Sequence, residues 1–267
     1  MPHADINGFQ MHFERFGDEG EPLVLVHGYT GSAEDFDEQV PVFSQTHRVL
    51  VLDHRGHGAS SAPTDRSSYT IPQMADDVEA LVTHAGFERY HLVGHSMGGG
   101  VAQEIALHSG DRLMSLTLFG TSTDFNFGRN EMVRKFMEHR NKVADEQGMA
   151  AVAAIDLGFP APPHTPPAKK DFERKRMEAM SPDGFVGGWG ALASWAGTTD
   201  RIHAVTTPTL IMAGELEPAA KGLPTMQAKI AGSQTLIIAE SGHSPQWERP
   251  EIFNRALAEH LARNAGR

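Results

Sequence analysis

The stretch Gly94-His95-Ser96-Met97-Gly98-Gly99 places one serine midway between glycines at 94 and 98. A serine hydroxyl is a weak nucleophile until a neighbouring base takes its proton, so Ser96 matters only if a histidine and an orienting acid stand elsewhere in the chain. With 27 glycines present, the pentapeptide carries little weight alone. Its context carries more: the valine-containing run 89–94 reads as a strand and the residues after Ser96 read as a helix. A sharp strand-to-helix turn lifts the hydroxyl to the end of a sheet, beside a helix N-terminus whose N–H groups favour developing negative charge. A phosphate-cradling glycine loop fits less well, because neither a G-x-G-x-x-G run nor a Walker lysine is present. The paired histidines of HRGH (54–57) and HLVGH (91–95) fall on strand and turn, not on one helix face, so no metal is expected.

The elements that must position Ser96 follow from hydrophobic pattern. Residues 9–16 alternate as a half-exposed strand does. The runs 23–28, 47–53, 89–94 and 113–120 are continuous and apolar, as in strands covered on both faces. Met74, Val78, Leu81 and Val82 share one face of a helix over 71–85. Alternating strands and helices predict an α/β fold with a mostly parallel sheet. The alternation stops at about 121 and resumes with strands at 208–214 and 234–240, a helix near 224–231 and a last helix over 250–263. The expected organisation is a core of residues 1–120 and 206–267, with 121–205 inserted as a helical cap over one sheet end. Helices are expected there at 131–147, 168–180 and 185–196.

Composition sets outer bounds. A formal charge of −11 repels phosphate backbones and argues against nucleic acid as a partner. With no cysteine, disulfides, thiolate metal sites and a cysteine nucleophile are all excluded. The first residues show no basic segment followed by an apolar run, and the longest apolar runs are strand-sized. A cytoplasmic protein with no membrane partner is therefore expected; its oligomeric state is left open.

Four pieces in order resemble the α/β-hydrolase family, over nearly the whole chain: VHGYTGS (26–32), DHRGHGAS (53–60), GHSMGG (94–99) and ESGHSPQWERPEIFNRALAEHL (240–261). Residues 181–202 also look like the cap of enol-lactone hydrolases and related small esterases. The resemblance implies an eight-stranded sheet flanked by helices, Ser96 as nucleophile and His243 as general base. It also implies an oxyanion hole from the backbone N–H groups of Tyr29 and Met97, with His27 bracing its loop. The orienting acid departs from the family's usual G-x-x-D: here Gly214 is followed by Glu215, Leu216 and Glu217, which puts Glu217 at the aspartate position. Asp124, after the sixth strand, and Glu215 remain alternatives. A serine rather than a carboxylate nucleophile disfavours dehalogenase and epoxide hydrolase chemistry. The expected reaction is cofactor-free hydrolysis of a small carboxylic ester or lactone through an acyl-enzyme. C–C bond hydrolysis, perhydrolysis or a slow-turnover ligand receptor are the alternatives. Phe125, Phe127, Phe136, Met137, Phe159, Met177, Met180, Trp189 and Trp195 suggest an apolar acyl group beneath the cap. Arg129, Arg134 and Lys135 are the cations considered for a substrate carboxylate, although solvated surface charges are the plainer reading.

Overall fold

The computed structural model describes residues 2–125, 130–155 and 162–267. Its centre is one eight-stranded sheet: β1 (His3–Ile6), β2 (Phe9–Phe16), β3 (Glu21–Val26), β4 (His47–Leu52), β5 (Tyr90–His95), β6 (Leu113–Phe119), β7 (Thr209–Gly214) and β8 (Gln234–Ile238). The spatial order is β1-β2-β4-β3-β5-β6-β7-β8. β1 and β2 join antiparallel, and every pair from β4–β3 onward is parallel. The continuous apolar runs have the two-sided burial expected of them. Val24, Val26, Leu50 and Leu52 face one core, while Leu23, Leu25, Val49 and Val51 face the other.

Helices cover both faces. α2 (Ile71–His84) and α3 (Met97–His108) pack on the first, while α1 (Val40–Phe43) lies on the second with α10 (Pro250–Arg263), whose Phe253, Leu257 and Leu261 are buried there. α8 (Ala219–Lys229) covers β7 and β8. It starts five residues before the helix the sequence predicts, because Pro224 reads as a helix start and instead lies inside. Burial of Ala220, Leu223 and Met226 outweighs the backbone hydrogen bond that proline cannot donate. β1 is too short to give a pattern and is not anticipated either.

Between β6 and β7 the described residues form four α-helices and no strand: α4 (Glu131–Gln147), α5 (Met149–Ala153), α6 (Pro167–Ala179) and α7 (Pro182–Ser194). The Asn130 side chain caps α4, and Gly148, at φ +83°, ends it before α5 begins. Ser181 caps α7 ahead of Pro182. These helices are fastened across the end of the sheet where Ser96 lies. A Cβ on Gly184 would fall inside the Gly56 backbone, and one on Gly187 would meet the Tyr69 ring at 2.5 Å. Arg66 joins Asp183 of α7 at 2.8 Å and Asp145 of α4 at 2.6 Å. Past α7, the Trp195 indole N–H donates to Glu104 of α3 at 2.7 Å. (α9, Pro245–Glu248, is a single turn before α10.)

Candidate active site

Ser96 sits between the last residue of β5 and the first of α3, with φ +51° and ψ −113°. A side-chain-bearing residue in that region stores on the order of 1–3 kcal/mol and needs surrounding structure to hold it. That structure is present: the Ser96 N–H donates to Phe119 O at 2.9 Å, and its carbonyl accepts from the Gly99 N–H and the Thr121 hydroxyl, both at 2.9 Å. The glycine at 98 is a packing requirement, since a Cβ there would stand 2.5 Å from the carbonyls of Val26 and His27. α3 therefore docks against the end of β3 only with glycine at this position.

His243, in the loop after β8, approaches the serine from the other side, its Nε2 3.0 Å from Ser96 Oγ. Its Nδ1 lies 2.6 Å from Glu217 Oε2, and the other Glu217 oxygen accepts from the Gly214 N–H at 3.0 Å. Glu217 is 5% exposed. Neither rival carboxylate is the partner of His243 Nδ1. Glu215, exposed, accepts the Glu240 N–H at 3.0 Å and ties the loop after β7 to that after β8. Asp124 lies in the loop after β6, where its backbone carbonyl accepts from the Ser122 hydroxyl at 2.6 Å.

Two residues that the sequence reading passes over fix the position of His243. Glu248 Oε2 accepts from the Ser241 hydroxyl at 2.8 Å and from the Gly242 N–H at 2.5 Å, bracing the loop just before the histidine. His95 Nε2 lies 2.8 Å from the His243 carbonyl, which can only accept, so His95 carries its proton on Nε2 and its buried Nδ1 is unpartnered. Burial pushes the His95 pKa down to about 3, keeping the ring neutral. Its ring stacks on Phe119 with centroids 4.6 Å apart.

The loop after β3 forms the remaining wall. Gly31 N–H closes a turn onto Gly28 O at 3.0 Å, and Thr30 takes φ +59°, unusual for a β-branched residue. His27 Nδ1 contacts Gly28 O at 2.7 Å while its Nε2 accepts the His54 N–H at 3.0 Å, so His27 braces the loop. The Tyr29 hydroxyl donates to Phe185 O of α7 at 2.8 Å. The backbone N–H groups of Tyr29 and Met97 have no acceptor among the described residues.

A cavity of about 620 Å³ opens onto Ser96 and His243, lined also by Tyr29, Arg140, Ile155 and Met177. Met137, Trp189 and Trp195 are core residues instead, and Phe136 is partly exposed. Phe127, Phe159 and Arg129 lie outside the described residues. Arg134 and Lys135 pair with Glu138 and Glu131 on the exposed face of α4, each at 2.7 Å. The inward cation of that helix is Arg140, which no sequence expectation named. A second cavity of about 530 Å³ lies beyond Thr30 and Arg176, lined by Asp37, Asp53 and Phe172, without either Ser96 or His243. Among the described residues, one grouping has metal-ligand spacing: Glu21, His47 and His91, at the starts of β3, β4 and β5, the sheet end opposite Ser96.

Residues 21–250 match the family model described as the alpha/beta hydrolase fold. The chain is 27% identical to the dihydrolipoyllysine-residue acetyltransferase component of the acetoin cleaving system of Cupriavidus necator, over 97% of this chain and 68% of that protein. It is 26% identical to 3-oxoadipate enol-lactonase 2 of Acinetobacter baylyi, covering 92% of this chain and 91% of that one. A thermophilic esterase from Thermogutta terrifontis, solved with malate bound, superimposes with a TM-score of 0.87 at 26% identity, over 99% of this chain and all of the other. Sheet order, the turn at Ser96 and these likenesses agree: the chain belongs to the α/β-hydrolase family and is a hydrolase.

Proposed function

We propose that this hydrolase cleaves a carboxylic ester or lactone through an acyl-enzyme on Ser96. The observation that carries the reading is the unbroken pair of hydrogen bonds from Glu217 through His243 to Ser96, 2.6 and 3.0 Å, ending on a serine at positive φ. Glu217 holds the His243 tautomer with Nδ1 protonated, which leaves Nε2 free to take the serine proton. Ser96 Oγ attacks the substrate carbonyl, and the oxyanion is met by the N–H groups of Tyr29 and Met97. His243 passes the proton to the departing alkoxide, then draws one from water for attack on the acyl-enzyme. No step calls for a metal or cofactor. The helices of 121–205 act as a cap over the acyl space, and the enol-lactonase and esterase likenesses support an ester or lactone over other acyl compounds.

The test is hydrolysis of p-nitrophenyl esters of increasing chain length by the wild type and by Ser96→Ala. Turnover that disappears in the variant supports the reading. Equal activity in the two proteins assigns it to another group and overturns the reading.

A further inference from the structure

We propose that Arg140 anchors a carboxylate of the substrate, so that the ester or lactone taken by this enzyme is itself an anion. The inference deepens the reading of Ser96 as an ester-cleaving nucleophile and rests on it. Arg140 is 7% exposed, lines the cavity that holds Ser96 and His243, and has no carboxylate partner among the described residues, the Tyr29 hydroxyl being its one titratable neighbour there. Its guanidinium lies over the Phe185 ring at 5.0 Å and the Phe136 ring at 5.9 Å, with Met137 Sδ 3.9 Å from one terminal nitrogen. Its Nε is buried without an acceptor. Burying a charge without a counter-ion is costly, and nothing in the fold requires it here, since α4 needs only an apolar residue at that face.

The other charged groups around the cavity are accounted for. Arg176 pairs with Asp35 at 2.5 Å, Lys169 with Glu173 at 3.5 Å and Arg174 with Glu178 at 2.6 Å. Glu248 is occupied by the His243 loop, and Lys170 is exposed. Among the described residues, one buried cation is therefore left without a counter-ion in the space the substrate must enter. The planar fork of arginine suits a carboxylate, which would accept from two of its N–H groups at once. Among the described residues, its aromatic and thioether neighbours offer those N–H groups only weak acceptors.

The experiment compares esters matched in all but charge. One pair varies the acyl half, mono-p-nitrophenyl glutarate against p-nitrophenyl pentanoate. The other varies the alcohol half, 4-carboxyphenyl against 4-(methoxycarbonyl)phenyl acetate. The wild type is expected to prefer the anion in one pair by about tenfold or more in kcat/KM, mainly through KM. Arg140→Met should lower kcat/KM for that anion by about 10- to 100-fold and bring the anion-to-neutral ratio near one; Arg140→Lys should restore part of the ratio. Absence of a charge preference in both pairs overturns the proposal, and so does an unchanged ratio in Arg140→Met. The wild-type ratios and Arg140→Lys decide the matter if the methionine variant does not fold. Calorimetry of glutarate binding to Ser96→Ala separates this proposal from the catalytic reading. Binding that disappears when Arg140→Met is added supports the anchor even if no ester is cleaved. Cleavage of both members of each pair at equal rates would instead sink the anchor and leave the catalytic reading standing.

Discussion

At the scale of single residues, the carboxylate on His243 shows how little separates two neighbouring acids in sequence that differ wholly in their contacts. Glu215 and Glu217 are two residues apart, yet one reaches His243 and the other the Glu240 backbone. Glu217→Gln keeps the shape but no longer favours the protonated Nδ1, and a drop in kcat of about 10³–10⁴-fold is expected. Glu215→Gln and Asp124→Asn should each stay within a few-fold of wild type. Steady-state kinetics on one ester compares all three, and loss in Asp124→Asn instead would move the acid role there. His95→Phe preserves the stack on Phe119 but deletes the donor to the His243 carbonyl. One neutral hydrogen bond contributes about 0.5–1.5 kcal/mol, so kcat should fall by up to about tenfold. Much of this site was legible in the sequence. Ser96 and His243 stood in local motifs, and Glu217 held the right offset from Gly214. His95 and Glu248 were not legible as braces, because their partners are backbone groups of a loop that only the fold brings near. Arg140 was passed over for Arg134 and Lys135, although its phase with Met137 and Ala144, three and four residues either way, marks the buried face of α4.

At the scale of elements, the positions of greatest constraint are those where two backbones meet. Gly98→Ala would drive a methyl group to 2.5 Å from the Val26 and His27 carbonyls and push α3 from the sheet. Such overpacking costs about 1–3 kcal/mol, and α3 also carries the Met97 N–H. Both a lower urea midpoint and a loss of turnover are therefore expected, whereas Gly222→Ala, with open space around it, should be stable and active. Central strands were readable from their apolar runs because a strand covered on both faces leaves no room for polar residues. The edge and the interior proline were not. β1 is four residues long, and α8 continues through Pro224 because its buried side chains prevail over local propensity.

At the scale of the whole molecule, buried histidines should set the acid limit of stability. Burial depresses the pKa of His57 and His95 to about 3 and of His260 to about 4, and holds His54 well below its ordinary value. In the unfolded chain these rings take protons near pH 6.5, which the native state refuses, so stability falls as pH drops below 6.5. At pH 5 each of His57, His95 and His260 costs about 2 kcal/mol relative to neutral pH. His12, whose pKa Asp53 raises, acts in the opposite sense and offsets part of the loss. Urea titrations at pH 7.5, 6 and 5 should show the decline, and His260→Gln, remote from Ser96, should make it shallower. A flat profile would mean that these rings are hydrated in the native state. The same molecule also has an uneven capacity for change. Where Gly184 lies on Gly56, main chain rests on main chain, and no side chain exists there to be trimmed, enlarged or exchanged. Selection for a different substrate has no purchase on that seam. New specificities would be found in libraries built on α4, α5 and α6, whose Arg140, Val152 and Met177 side chains form the wall of the cavity.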